Sequence, residues 1–146
     1  MTPTQSIASP DGSHVAKLKC IGEVRWGPPY FSLEVDDHSF GDRIFGDSLC
    51  WSDDSLMLAI QEWMTLDYAR GPITQLTVLD IALDKQCALA KADKGFIFLC
   101  DFSDRTVSYQ EEYWADSEIE KSRHRVELPL PGRWTWLDAP LRIKKA

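Results

Sequence analysis

Ser52-Asp53-Asp54-Ser55 stands directly before Leu56–Trp63, a run that opens apolar on both faces. Ser and Asp side chains bond the backbone of a tight turn, and a short apolar run after such a turn suits a strand in the middle of a sheet. The phrase has a relative at Ser9-Pro10-Asp11-Gly12-Ser13-His14-Val15-Ala16, offset by 43 residues. A third, looser version is Phe102-Ser103-Asp104-Arg105-Thr106-Val107, and Gln61-Glu62-Trp63 is echoed by Gln110-Glu111-Glu112-Tyr113-Trp114. A chain punctuated in this way builds short strands joined by tight turns.

The remaining segments agree. Val15–Ile21 alternates, with Ala16, Leu18 and Cys20 facing one way and Lys17 and Lys19 the other. After the break at Gly27-Pro28-Pro29, Tyr30–Asp36 points Phe31, Leu33 and Val35 inward. Further strands are predicted at Leu56–Trp63, Gln75–Leu83, Phe96–Phe102, Thr106–Trp114, Arg123–Leu130 and the short Trp134–Leu137, with Asp84-Lys85 as a turn. The best helical rivals are Ile60–Tyr68 and one turn at Asp116–Lys121. The expected fold is an all-β antiparallel curved sheet or sandwich of about six to eight short strands, with at most one or two short helices. Residues 1–8 read as a flexible lead-in and residues 9–146 as one domain.

The offset of 43 residues between the Ser-Pro-Asp-Gly-Ser and Ser-Asp-Asp-Ser turns falls within the length of a four-stranded propeller blade. On those turns the chain resembles β-propeller repeats of the TolB and WD40 kind, in which such a turn precedes an apolar strand once per blade. The resemblance implies blade-like hairpins. The chain supplies about three, fewer than the four or more a closed propeller takes, so a smaller curved sheet or sandwich is expected.

Hydrophobic residues make up 44% of the 146 and aromatics 11%, enough for a core. No apolar run is long enough to span a bilayer, and the N-terminus lacks a basic and apolar leader, so a cytoplasmic protein is expected. The four cysteines are widely spaced without a Cys-x-x-Cys pair, and they read as small buried hydrophobes rather than disulfides or metal ligands. Net charge is −7. Residues 1–120 hold 21 acids against 9 bases, whereas residues 121–146 hold 2 against 7. That acidic body repels nucleic acid and attracts basic proteins.

No catalytic constellation stands out. There is no Gly-x-Ser-x-Gly elbow, and His14, His38 and His124 read as structural. Asp36-Asp37-His38 carries ligand-type side chains, but a strand-end turn explains them without a metal. Gly41 and Gly46 have P-loop spacing, yet Asp47-Ser48 follows where Lys-Ser/Thr is required. The paired carboxylates read as solvated turns and strand faces. No cofactor, metal or catalytic residue is assigned.

The remaining signal is aromatic residues beside acids. Two patches are expected to bind a protein partner: Glu111, Glu112, Tyr113, Trp114 and Asp116, then Glu62, Trp63, Asp67 and Tyr68. An aromatic anchor inside a charged ring is the usual chemistry of an interface hot spot. In size, acidity and lack of catalytic motif, the chain resembles small bacterial immunity proteins, which bind and neutralise a secreted antibacterial toxin. That resemblance implies a basic toxin domain as partner. The rivals are a scaffold or interaction module unconnected with toxins, marked by a different genomic neighbourhood, and a small-ligand-binding or hydrolytic β-protein, marked by a pocket of convergent polar groups. The sequence does not give the oligomeric state.

Overall fold

The structure, a computed structural model, describes residues 4–24, 27–67, 72–115, 118–130 and 133–137. Its elements are strands: β1 (Gln5–Ala8), β2 (Val15–Glu23), β3 (Pro29–Val35), β4 (His38–Ser39), β5 (Ile44–Trp51), β6 (Met57–Trp63), β7 (Ile73–Asp80), β8 (Lys85–Asp93), β9 (Gly95–Ser103), β10 (Thr106–Ala115), β11 (Glu118–Glu127) and β12 (Thr135–Trp136). They form two antiparallel sheets. The larger has the order β1-β2-β3-β5-β6-β7-β8-β12, with β4 folded back on β3, and the smaller is β11-β10-β9. The all-β reading holds. Among the described residues no helix is long and apolar enough to cross a membrane.

Several expectations are corrected. Among the described residues twelve strands form, β4 and β12 only two residues long, rather than six to eight. Gln5–Ala8, read as flexible, pairs with Val15–Leu18 as the edge strand β1. The strand β5 was hidden because Gly46-Asp47-Ser48 interrupts its apolar run. Its register with β6 jumps between Phe45/Glu62 and Leu49/Ile60, so those three residues bulge out opposite Gln61 alone. The strand β8 was hidden because Ala, Lys and Gln dominate it, all poor strand formers. The helical rivals do not form among the described residues: β6 runs through Trp63, and Glu118–Lys121 belongs to β11.

Strand periodicity sorts the core into two layers. One face of the large sheet collects Ala16, Leu18, Phe31, Leu33, Val35, Phe45, Leu58, Ile60 and Leu79 into one cluster. These residues come from five adjacent strands, so the sheet must curl around them. The opposite face presents Ala59, Leu76 and Val78 to Ile97, Phe102, Val107 and Tyr109 of the small sheet. β6 is buried on both faces, as its sequence foretold. β9 crosses the outer face of the large sheet, and three side chains fasten it there. Thr74 on β7 donates to Gly95 O at 2.9 Å, Gln61 Nε2 on β6 donates to Ile97 O at 2.5 Å, and Ser48 Oγ on β5 accepts from Leu99 N at 2.8 Å. These bonds satisfy polar groups buried between the layers, where an unpaired one costs about 1–3 kcal/mol.

The repeated phrase folds twice into the same turn. Ser9 Oγ accepts from His14 N at 3.1 Å, as Ser52 Oγ accepts from Met57 N at 3.0 Å. Asp11 Oδ1 accepts from Ser13 N, as Asp54 Oδ1 accepts from Leu56 N. Gly12 and Ser55 occupy the same left-handed position, at φ 76° and 66°. The two turns also touch, since Asp11 N donates to Ser55 Oγ at 3.0 Å. Trp51 and His14 stack beside them, and Trp51 Nε1 donates to Ile7 O at 3.0 Å. Trp51 is a core residue. The third phrase is a different turn: Asp104 and Arg105, both at positive φ, close a two-residue hairpin between β9 and β10.

Candidate functional site

The β5 bulge builds a cleft at the junction of the two sheets. Gln61 turns into the space the bulge leaves, where its Oε1 accepts from Trp63 Nε1 at 2.8 Å while its Nε2 holds Ile97 O. Residue 46 must be glycine for this, because a Cβ there would stand 1.9 Å from Gln61 Oε1. Past that glycine, Asp47 is carried out to solvent and Ser48 back to β9. The resulting cavity, of about 240 Å³, is lined by Pro28, Pro29, Asp47, Trp63, Phe96, Phe98 and Glu112, with Gly46 and Gln61 at its floor. Its rings pack as a chain: Tyr30 on Trp63 at 5.7 Å, Trp63 on Phe96 at 5.9 Å, Phe96 on Phe98 at 6.2 Å. Glu112 accepts from Gln110 Nε2 at 2.6 Å and pairs across strands with Phe96 on the cleft side and Lys121 on the other. Neither Lys nor Arg lines the cavity among the described residues.

The two expected patches are rearranged. Strand alternation splits the first: Glu111 and Tyr113 face one side of β10, and Glu112 faces the other. Glu111 lies 3.3 Å from His124 Nε2, and a hydrogen bond to Glu120 holds the Tyr113 hydroxyl above its ordinary pKa. Asp116 lies outside the described residues, as does the side chain of Trp114. The second patch is split too. Trp63 is buried beneath β9, whereas Glu62 is buried on the opposite face. There Arg43 grips Glu62 with Nε at 2.8 Å and Nη2 at 2.7 Å, Thr77 adds a bond at 2.8 Å, and Arg43 Nη1 donates to Gln86. Glu62 is thus a neutralised structural carboxylate and not part of an exposed ring. Asp67 is exposed, and Tyr68 lies outside the described residues. Trp63 and Glu112, one from each patch, both line the cleft.

Sequence reasoning missed Asp47, Phe96 and Phe98. The signal for Asp47 was present, because Gly-Asp-Ser inside an apolar run marks a bulge. Phe96 and Phe98 flank Ile97 in strand register, so one face of β9 had to show two aromatic rings.

Other groups are spent on structure. Ser122 Oγ and Glu111 Oε2 both approach His124 at Nε2, at 2.7 and 3.3 Å. A serine relay needs the two on opposite ring nitrogens, so this trio lacks that geometry. His14 Nδ1 meets Asp36 at 2.5 Å. Burial pushes the Cys87 thiol up to about 12, and burial with Asp101 and Cys100 raises Cys50, which keeps both protonated.

No family model, curated protein or solved structure matches this chain.

Proposed function

We propose that the chain is a protein-binding module that engages a basic partner through the aromatic cleft, and that it acts as an immunity protein neutralising a toxin domain. The observation that carries this reading is that Asp47 and Glu112 line one cleft together with Trp63, Phe96 and Phe98, with no base among the described lining residues. Apolar faces supply the buried anchor, and the acids on the rim select a positive partner and speed its approach. A net charge of −7 extends the same attraction over the whole molecule. The mechanism is occlusion: the acidic face covers a basic site on the toxin, and no group on this chain has to react.

Capture from the native cells, followed by expression of the captured protein alone and with this chain, tests the proposal. Growth arrest by the captured protein, relieved by this chain and less so by Asp47→Lys/Glu112→Lys, supports it. A harmless captured protein removes the immunity function and leaves the binding module.

A further inference from the structure

The small sheet ends in an open edge. Strand β10 occupies one side of β11, and among the described residues no strand pairs with the other. No turn or loop bond between described residues reaches Glu118–Glu127 either. Alternate N–H and C=O groups along these ten residues therefore point away from the sheet with no strand to meet them. The other edges are short or fastened: β1 has four residues, β12 closes one end of β8, and Thr74, Gln61 and Ser48 tie down β9.

The face beside this edge is basic. Alternation puts Ile119, Lys121, Arg123 and Arg125 on the exposed side of β11, with Ser122, His124 and Val126 half-buried on the other. Glu112 stands opposite Lys121, but Gln110 and Ser108 stand opposite Arg123 and Arg125. Neither guanidinium forms an ion pair among the described residues. We propose that the outer edge of β11 takes an extended acidic segment of a partner protein as a fourth strand, at a surface opposite in sign to the cleft and independent of it. Main-chain bonds hold the segment, and acids at its alternate positions meet Arg123 and Arg125. A second copy does not fit. Two-fold antiparallel pairing centred on any residue from Glu120 to Arg125 sets like charges directly opposite, such as Lys121 on Arg123 or Arg125 on itself. Residues 138–146, with three bases against one acid, have the same sign as the stripe. A nucleic acid answers the charge but leaves the edge unpaired, and the net charge of −7 opposes it.

The full chain, isotope-labelled, is titrated with an end-capped peptide of five Thr-Glu repeats and followed by amide chemical shifts and hydrogen exchange. The comparison ligands are the matching Thr-Lys peptide, two Thr-Glu peptides methylated on every Thr amide or on every Glu amide, and a short single-stranded oligonucleotide. The Thr-Glu peptide should give saturable shifts centred on residues 118–127 and slow exchange at alternate β11 amides. The Thr-Lys peptide should not saturate. An added strand turns one set of its amides to β11 and the other set outward, so one methylated peptide should lose binding and the other keep it. Arg123→Gln/Arg125→Gln should weaken binding by about threefold or more while leaving the rest of the spectrum unchanged. Equal behaviour of the two methylated peptides, or no saturable shift at β11, overturns the inference. Tighter binding of the oligonucleotide also overturns it, in favour of a surface that reads charge alone.

Discussion

Gly46 is the residue on which the cleft depends, and its role is steric. A methyl group at this position collides with the Gln61 amide, which then loses its bonds to Trp63 and to Ile97 O. Gly46→Ala should cost about 2–3 kcal/mol in urea unfolding, and adding Gln61→Ala should recover part of it. Unchanged stability would mean the floor packs differently. Asp11 makes a pH prediction. The Ser13 hydroxyl and amide lower its carboxyl from 3.8 to about 2 in the folded chain. A depressed folded pKa stabilises the fold above 3.8, and that contribution fades as pH falls toward about 2. The advantage of the wild type over Asp11→Asn should therefore shrink across that interval in denaturation midpoints. The cysteines should react in order of exposure. Cys100 is exposed, and Cys87 is buried with its pKa pushed up to about 12. Native thiol titration should label Cys100 first and Cys87 last, and the reverse order would contradict this burial pattern.

At the scale of elements, the Ser-Asp turns were legible because their chemistry is local. A serine and an aspartate two positions on hold one turn, and both copies fold alike. Ser52→Ala removes the acceptor for Met57 N and the donor to Asp54, and should cost about 1–2 kcal/mol. Ser55→Ala should instead speed hydrogen exchange at the Asp11 amide, which it accepts, without changing the β9–β10 hairpin. That the two turns touch was not legible, since the contact spans two hairpins of the sheet. The inward faces of β2 and β3 were read residue by residue from alternation. β5 was lost because a bulge breaks alternation, and β8 because its composition favours helix. The segment hardest to read is thus the one that makes the site.

For the whole molecule, composition and periodicity were enough for the fold class and the inward faces of several strands. They do not report how two sheets cross, because Ser48, Gln61 and Thr74 look like ordinary polar residues until β9 lies over them. Reading acids and aromatics as neighbours in sequence joined Glu111 to Glu112 and Glu62 to Trp63, and strand geometry separates both pairs. The structure places Trp63 and Glu112 in the lining of one cleft instead, across the layer boundary. Glu62 serves Arg43. Glu62→Gln should cost about 3 kcal/mol by leaving that guanidinium half-buried and unpaired, whereas reversal of the exposed Asp47 should leave the unfolding midpoint close to wild type. The two adjacent glutamates of β10 provide the sharpest contrast, since they carry equal charge but face opposite sides. With the captured partner, association rates of Glu111→Lys and Glu112→Lys are to be compared at low and moderate salt, with both folds verified by circular dichroism. Glu112→Lys should slow association markedly and flatten its salt dependence, with Glu111→Lys close to wild type. Equal slowing by both would show that net charge alone guides the partner, and would contradict the cleft as its site.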